Sequence, residues 1–238
     1  MKVKNSQFMV AMLALSLAAV SGYAQSQPSA KATAKVSNLT LVDWTTAPTT
    51  GWQTLLENTI KTANMKDLFI SASFEVGLYT DTLVRSKLMV SDTSTAKADV
   101  KVRVVLDLGT GAERVVEPGE VVYGRRSQTL SATLEGAIAG CLSVVTNLDG
   151  SLGIVLNQAC VLPEVIDLIL DTMDAASFNF VAVDVPQGVH TVSVQAQIKT
   201  SGTVQNGTFE AKALVGKGAV TVESVRLIKD PNVILDVP

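Results

Sequence analysis

His190 is the only histidine in the 238 residues, so any Ser-His or His-metal mechanism in this chain has to use it. It opens a run in which Val192, Val194, Ala196 and Ile198 recur at every second position. That phase places the imidazole on the inward, apolar side of a strand, near its end and beside Pro186. A ring in that position is expected to bond a loop carbonyl rather than to act as a base. No Gly-x-Ser-x-Gly elbow is present to supply a nucleophile, so a His-dependent hydrolase is not expected.

The carboxylates give two groupings. Asp167, Asp171 and Asp174 recur at spacings of four and three, which puts them on one solvated face if the segment is helical. Asp107, Glu113, Glu117 and Glu120 gather around Gly109, Gly111 and Gly119, but the Asp-x-Asp-x-Asp-Gly order of a calcium loop is lacking. Weak calcium binding there and a glycosidase-type carboxylate pair both stay open, since separation in space is invisible in a sequence. No metal site and no cofactor are expected. Trp44 and Trp52 bracket a Thr/Pro-rich loop and are the candidate binding residues, able to stack on sugars or on a partner's apolar side chain. Their alternative role is to plug one end of a β core. Asn38-Leu39-Thr40 and Asn206-Gly207-Thr208 match the glycosylation pattern, which matters only in a eukaryotic source.

Cys141 and Cys160 are the only cysteines. With no further soft ligand nearby a zinc site is not expected, and a disulfide is the economical reading for an exported chain. If Gly150-Ser151 forms a two-residue type II′ turn, Cys141 and Cys160 face each other directly across a hairpin. If Asp149-Gly150 forms the loop, they are offset diagonally. A bridge closing so short a loop is worth about 3 kcal/mol.

Export itself is read from the N-terminus. Lys2 and Lys4 precede an uncharged apolar run over residues 8–20, and Gly22-Tyr23-Ala24 places small residues where a signal peptidase inspects them. The reading is a signal peptide over 1–24, a flexible leader over 25–35, one domain over 36–230 and a short tail over 231–238. The apolar run is shorter than a spanning helix requires. Without Lys2 and Lys4 the balance is 17 basic against 22 acidic residues, 17 − 22 = −5, and Arg125-Arg126 is the only Arg-Arg pair. Nucleic acid is not an expected partner.

The elements that must position these residues read as strands. Leu68, Ile70, Ala72, Phe74 and Val76 alternate on one face, as do Val100, Val102, Val104 and Leu106. Residues 53–62 fit a strand or a helical stripe, with the strand preferred. Residues 163–175 are expected to form the one short helix, because Pro163 sits at a first helical position and Val165, Ile166, Ile169 and Met173 recur at helical spacing. The rival is a strand with Ile166, Leu168 and Leu170 inward. The last third carries turn signals at Val185-Pro186-Gln187-Gly188, Asn206-Gly207 and Gly216-Lys217-Gly218, which predict a meander of three hairpins. The fold class expected is all-β, an antiparallel β-sandwich or jelly roll. Aromatics at 5% are too few for the girdles of a transmembrane barrel.

Doubled apolar pairs such as Val104-Val105 and Val121-Val122 put apolar side chains on both faces of a strand, which implies either a strand covered on its second face by a loop or, the preferred reading, the interface of a homo-oligomer. Three functional readings follow. The first is a secreted, non-catalytic β-sandwich with a structural, adhesion or partner-binding role, its ligand at a cell surface or on a glycan. The second is a carbohydrate-binding module using Trp44 and Trp52, and the third an extracellular hydrolase.

Overall fold

The computed structural model describes residues 31–37, 42–43, 51–138 and 140–227. The signal-like segment, Asn38-Leu39-Thr40, Trp44 and the 231–238 tail lie outside these residues. The described strands are β1 (Ala32–Val36), β2 (Val42–Asp43), β3 (Gln53–Thr62), β4 (Lys66–Ser86), β5 (Val90–Leu106), β6 (Arg114–Val115), β7 (Val121–Leu134), β8 (Leu142–Thr146), β9 (Leu152–Leu156), β10 (Glu164–Val185), β11 (Gly188–Val204) and β12 (Gly207–Val225). Every ladder is antiparallel. One sheet runs β1-β12-β4-β10, with β2 added to β12. The second runs β3-β11-β5, with β6 and β7 both paired to β5. β8 and β9 form a separate two-stranded ribbon.

The two sheets stack as a sandwich because their alternating residues face one another. Leu68, Ile70, Ala72, Phe74 and Val76 of β4 pack in one core with Val100, Val102, Val104 and Leu106 of β5, Val192, Val194, Ala196 and Ile198 of β11, and Val220 and Val222 of β12. Period-two alternation therefore reads correctly into buried and exposed faces. Past residue 78 the interior changes character. β4 continues inward with Thr80, Thr82 and Ser86, β5 with Asp92 and Ser94, and β7 with Gln128, all buried. The long strands thus enclose an apolar core at one end and a hydrogen-bonded polar core at the other.

Several expectations are corrected. Residues 163–175 are not a helix: β10 runs unbroken through them, paired to β4 from Glu164↔Ser86 to Ala182↔Leu68 without a register shift. A helix there would leave that whole flank of β4 without ladder partners, and buried backbone groups must be paired. Ile166, Leu168 and Leu170 share the inward face, as in the rival reading. Strand β1 takes up residues 32–35 of the expected leader by pairing with β12.

The three C-terminal hairpins are also corrected. β10 and β12 belong to one sheet and β11 to the other, so the connections at Pro186-Gln187 and at 205–206 carry the chain between sheets. Turn residues specify that a chain reverses, not which sheet it joins. Here each reversal lets Phe180 and Ala182 face Val192 and Val194 across the core. Gly216-Lys217-Gly218 is no turn but a register shift within β12, opposite Glu75 and Phe74. A Cβ on Gly218 would collide with the Ser73 carbonyl oxygen, so close approach rather than reversal requires glycine there.

Candidate interaction surface

Cys141 and Cys160 are bonded, with Cα atoms 5.4 Å apart. The hairpin they clasp has a different register from either expected one. Thr146 faces Leu152 and Leu142 faces Leu156, and Gly150 N–H donates to Asn147 O at 3.0 Å. Gly150, at φ +80°, is the left-handed residue that follows a type I turn, in place of the first position of a type II′ turn. Cys141 O accepts from Asn157 N–H at 2.9 Å, and a further turn over 157–160 brings Cys160 back to the bridge. Two hydrogen bonds from Ser151, at 2.9 and 2.7 Å, hold the Asp149 carboxyl below its ordinary range.

Among the described strands the ribbon packs chiefly on itself, β8 against β9. Its Leu142, Val144, Ile154 and Leu152 lie on one face and are 55–74% exposed, and Leu148 stands at the tip. The next strand in the chain, β10, is also apolar and exposed. Val165, Ile166, Leu168, Ile169, Leu170 and Met173 of β10 are 39–57% exposed. Most of the exposed large apolar side chains of the described chain thus gather between residues 138 and 178, at its polar-cored end. Such a concentration departs from the single, scattered apolar residues of an ordinary surface.

β10 is held by its inward face. Gln128 of β7 donates through Nε2 to Leu168 O at 2.6 Å and to Thr82 Oγ1 at 2.5 Å, and accepts from Thr80 Oγ1 at 2.6 Å. Arg126 donates through Nη1 to Leu78 O and Leu170 O at 3.0 and 2.9 Å, and through Nη2 to Thr172 Oγ1 at 2.5 Å. Six oxygens on β4 and β10 are therefore fixed by two side chains of the opposite sheet. The outer edge is different. Val181 N–H donates to Glu117 O at 2.9 Å and Val183 O accepts from Arg114 Nη2 at 2.6 Å, so the odd-numbered residues turn their backbone groups away from β4. Ala175 N–H is taken by Asp174 Oδ1 at 2.8 Å. Over residues 165–173 no described strand pairs with that edge.

The other candidates separate from this surface. Trp52 carries the Arg103 guanidinium 4.4 Å from its ring centroid, so one ring face is covered, while Trp44 lies outside the described residues. Asp107 leaves the acidic loop group. Its Oδ2 lies 2.8 Å from His190 Nδ1 and its Oδ1 accepts from Thr191 N–H at 2.9 Å, while His190 Nε2 lies 2.9 Å from Pro186 O. Both ring nitrogens are engaged by oxygens of the fold itself, so neither is turned toward a substrate. Glu113 accepts from Gly109 N–H and Glu120 pairs with Lys101 at 3.1 Å. Among the described residues no three His, Cys, Asp or Glu side chains converge on a metal-sized site. Asp171 and Asp167 share the outer face of β10, whereas Asp174 lies on the inner one. Asp167 stands beside Asp81, whose carboxyl is raised by burial, by a hydrogen bond with Asp167 and by the charges of Asp167 and Glu210.

No protein-family model and no curated protein matches this chain. One solved structure, described as a T13 IBDV viral particle, is similar at 12% identity and a TM-score of 0.19 over 86% of this chain and 41% of that one. The chain thus spans less than half of that protein's length, and so low a score carries no argument. The function has to be read from the surface itself.

Sequence reasoning noticed the apolar excess but looked for it at Val104-Val105 and Val121-Val122. Val104 and Val105 are both fully buried, Val105 beside Val115 of β6 in the same sheet. The signal that locates the surface is the run of Val, Ile and Leu on both faces of β10, which a helical reading had absorbed.

Proposed function

We propose that this is a secreted, non-catalytic β-sandwich protein with a structural, adhesion or partner-binding role, and that its polar-cored end is the working surface. The observation that carries this reading is the clasped ribbon with Leu142, Val144, Leu152 and Ile154 exposed on one face. A two-stranded ribbon is marginal by itself in water, and a covalent clasp at its base keeps this one presented. The disulfide suits an oxidising compartment, and no described helix is long and apolar enough to cross a membrane. Both support export. The occupied nitrogens of His190 favour a binding role over a hydrolytic one.

The test is a variant with Leu142, Val144, Leu152 and Ile154 all changed to Ser, produced in cells that export the chain. The expected result is an intact disulfide, an unchanged melting temperature and release of the protein from whatever surface or assembly retains the wild type. Equal retention of the two proteins would overturn the proposal.

A further inference from the structure

We infer that the β10 edge pairs antiparallel with β10 of a second copy about a two-fold axis at Leu168, joining two β1-β12-β4-β10 sheets into one. This rests on the partner-binding reading above and names the partner and the strand.

Three observations carry it. First, residues 165–173 present a row of backbone donors and acceptors that only another strand can satisfy in full. Second, of the devices that keep edges apart this edge has only the charges of Asp167 and Asp171. β1 carries Lys31 and Lys35 at its start and along it, β3 carries Glu57 and Lys61, and β7 carries Arg125 and Arg126 and a register shift. Residues 165–173 have no cation, no Pro and no bulge. Third, the edge is complementary to itself. With the axis at Leu168, the inward faces stack Leu168 on Leu168 and Leu170 on Ile166, and the outward faces set Asp167 opposite Ile169 and Asp171 opposite Val165. No two acids are directly opposed. Moving the axis one residue, to Ile169, would set Asp167 opposite Asp171, which like charges on paired strands resist. The parity also fits: Asp167 and Ile169 both point their backbone groups outward and can exchange them, while Leu168 forms the close pair that exchanges none.

The six apolar side chains offer roughly 500 Å² per copy, below the roughly 800 Å² of a standard interface, so a concentration-dependent dimer is expected rather than an obligate one. The charges on the edge strand itself, Asp167 and Asp171, are acidic, while Arg85 and Arg126 stand on the strands beside it.

The experiment is sedimentation equilibrium of the purified chain from about 1 to 100 μM, where micromolar affinity is read directly. The wild type should shift from monomer to dimer across that range. Ile169→Pro removes an outward N–H without touching the β4 ladder, and should stay monomeric with an unchanged far-ultraviolet spectrum. Ile169→Glu, which keeps the backbone intact and sets a carboxylate opposite Asp167 of the second copy, should weaken the dimer at least tenfold. Leu168→Cys should form an intermolecular disulfide across the axis under mild oxidation, and Ile166→Cys should form far less. A monomeric wild type, an undisturbed dimer in both Ile169 variants, or equal cross-linking at 166 and 168 would each overturn the inference. The four-serine ribbon variant should dimerise like the wild type. If it alone fails to dimerise, β10 is not the interface. Loss of retention in that variant with its dimer intact speaks only for the broader function.

Discussion

At the residue scale, the buried polar groups are structural and their substitution has definite signs. His190 and Asp107 fasten the start of β11 to the loop that follows β5, with Pro186 O as third partner. His190→Ala would leave Asp107 Oδ2 without its partner while Oδ1 keeps Thr191 N–H, a loss worth about 1–3 kcal/mol. Urea unfolding should show that drop, and dimer formation at matched folded fraction should not change. Asp81 behaves in the opposite sense. Its carboxyl is raised by burial, then by Asp167 and Glu210, and its Oδ1 is buried with no partner among the described residues. A raised folded value means that its contribution to stability is full below the ordinary aspartate range and is lost as pH rises through the raised one. Asp81→Asn should therefore be near neutral in acid and stabilising at pH 7. Equal effects at both pH values, followed by urea unfolding, would contradict this. Tyr123 is also raised by burial, and its O–H donates to Ala72 O at 2.8 Å.

At the element scale, the turn between β4 and β5 stores correctable strain. Leu88 and Met89 both have positive φ, +55° and +59°, and Val90 N–H closes the turn on Lys87 O at 3.1 Å. Asn-Gly is the pair that such a turn favours, and branched or long side chains there cost about 1–2 kcal/mol per residue. Replacing Leu88-Met89 by Asn-Gly should raise the melting temperature by about 2–4 °C for each kcal/mol recovered, with calorimetry as the check. Nothing in the residue types announces this turn. Strand alternation was legible for the opposite reason: one face of β3, β4, β5 and β11 meets the core and the other does not. β10 was misread because its residues 165–173 meet solvent on both faces, so no period of two was imposed on them. The two candidate tryptophans were chosen by type, and neither belongs to the apolar surface among the described residues. The cysteines were legible as a pair, whereas their register was not, since Gly150 fits two kinds of turn.

At the scale of the whole molecule, two kinds of interior in one sandwich should give two levels of stability. The apolar end gains about 25 cal/mol for each Å² buried, across strands whose inward residues are almost wholly covered. The other end relies on Thr80, Thr82, Ser86, Asp92, Ser94 and Gln128, where each satisfied hydrogen bond contributes only about 1 kcal/mol net. It therefore ought to open first, taking with it the strand that carries the exposed apolar surface. Native-state hydrogen exchange should find the amides of 100–106 and 192–198 protected up to global unfolding, and those of 80–86 and 164–172 released by a cheaper local opening. Gln128→Ala sharpens the test. It strands the buried Thr80 and Thr82 hydroxyls and frees Leu168 O, at a cost of about 2–3 kcal/mol, or roughly 30- to 150-fold faster exchange at that end. Exchange within 100–106 should stay as slow as in the wild type wherever global stability is not limiting. Uniform acceleration along the whole length of β4 would mean instead that the sandwich opens as one unit, with its polar and apolar ends equally firm.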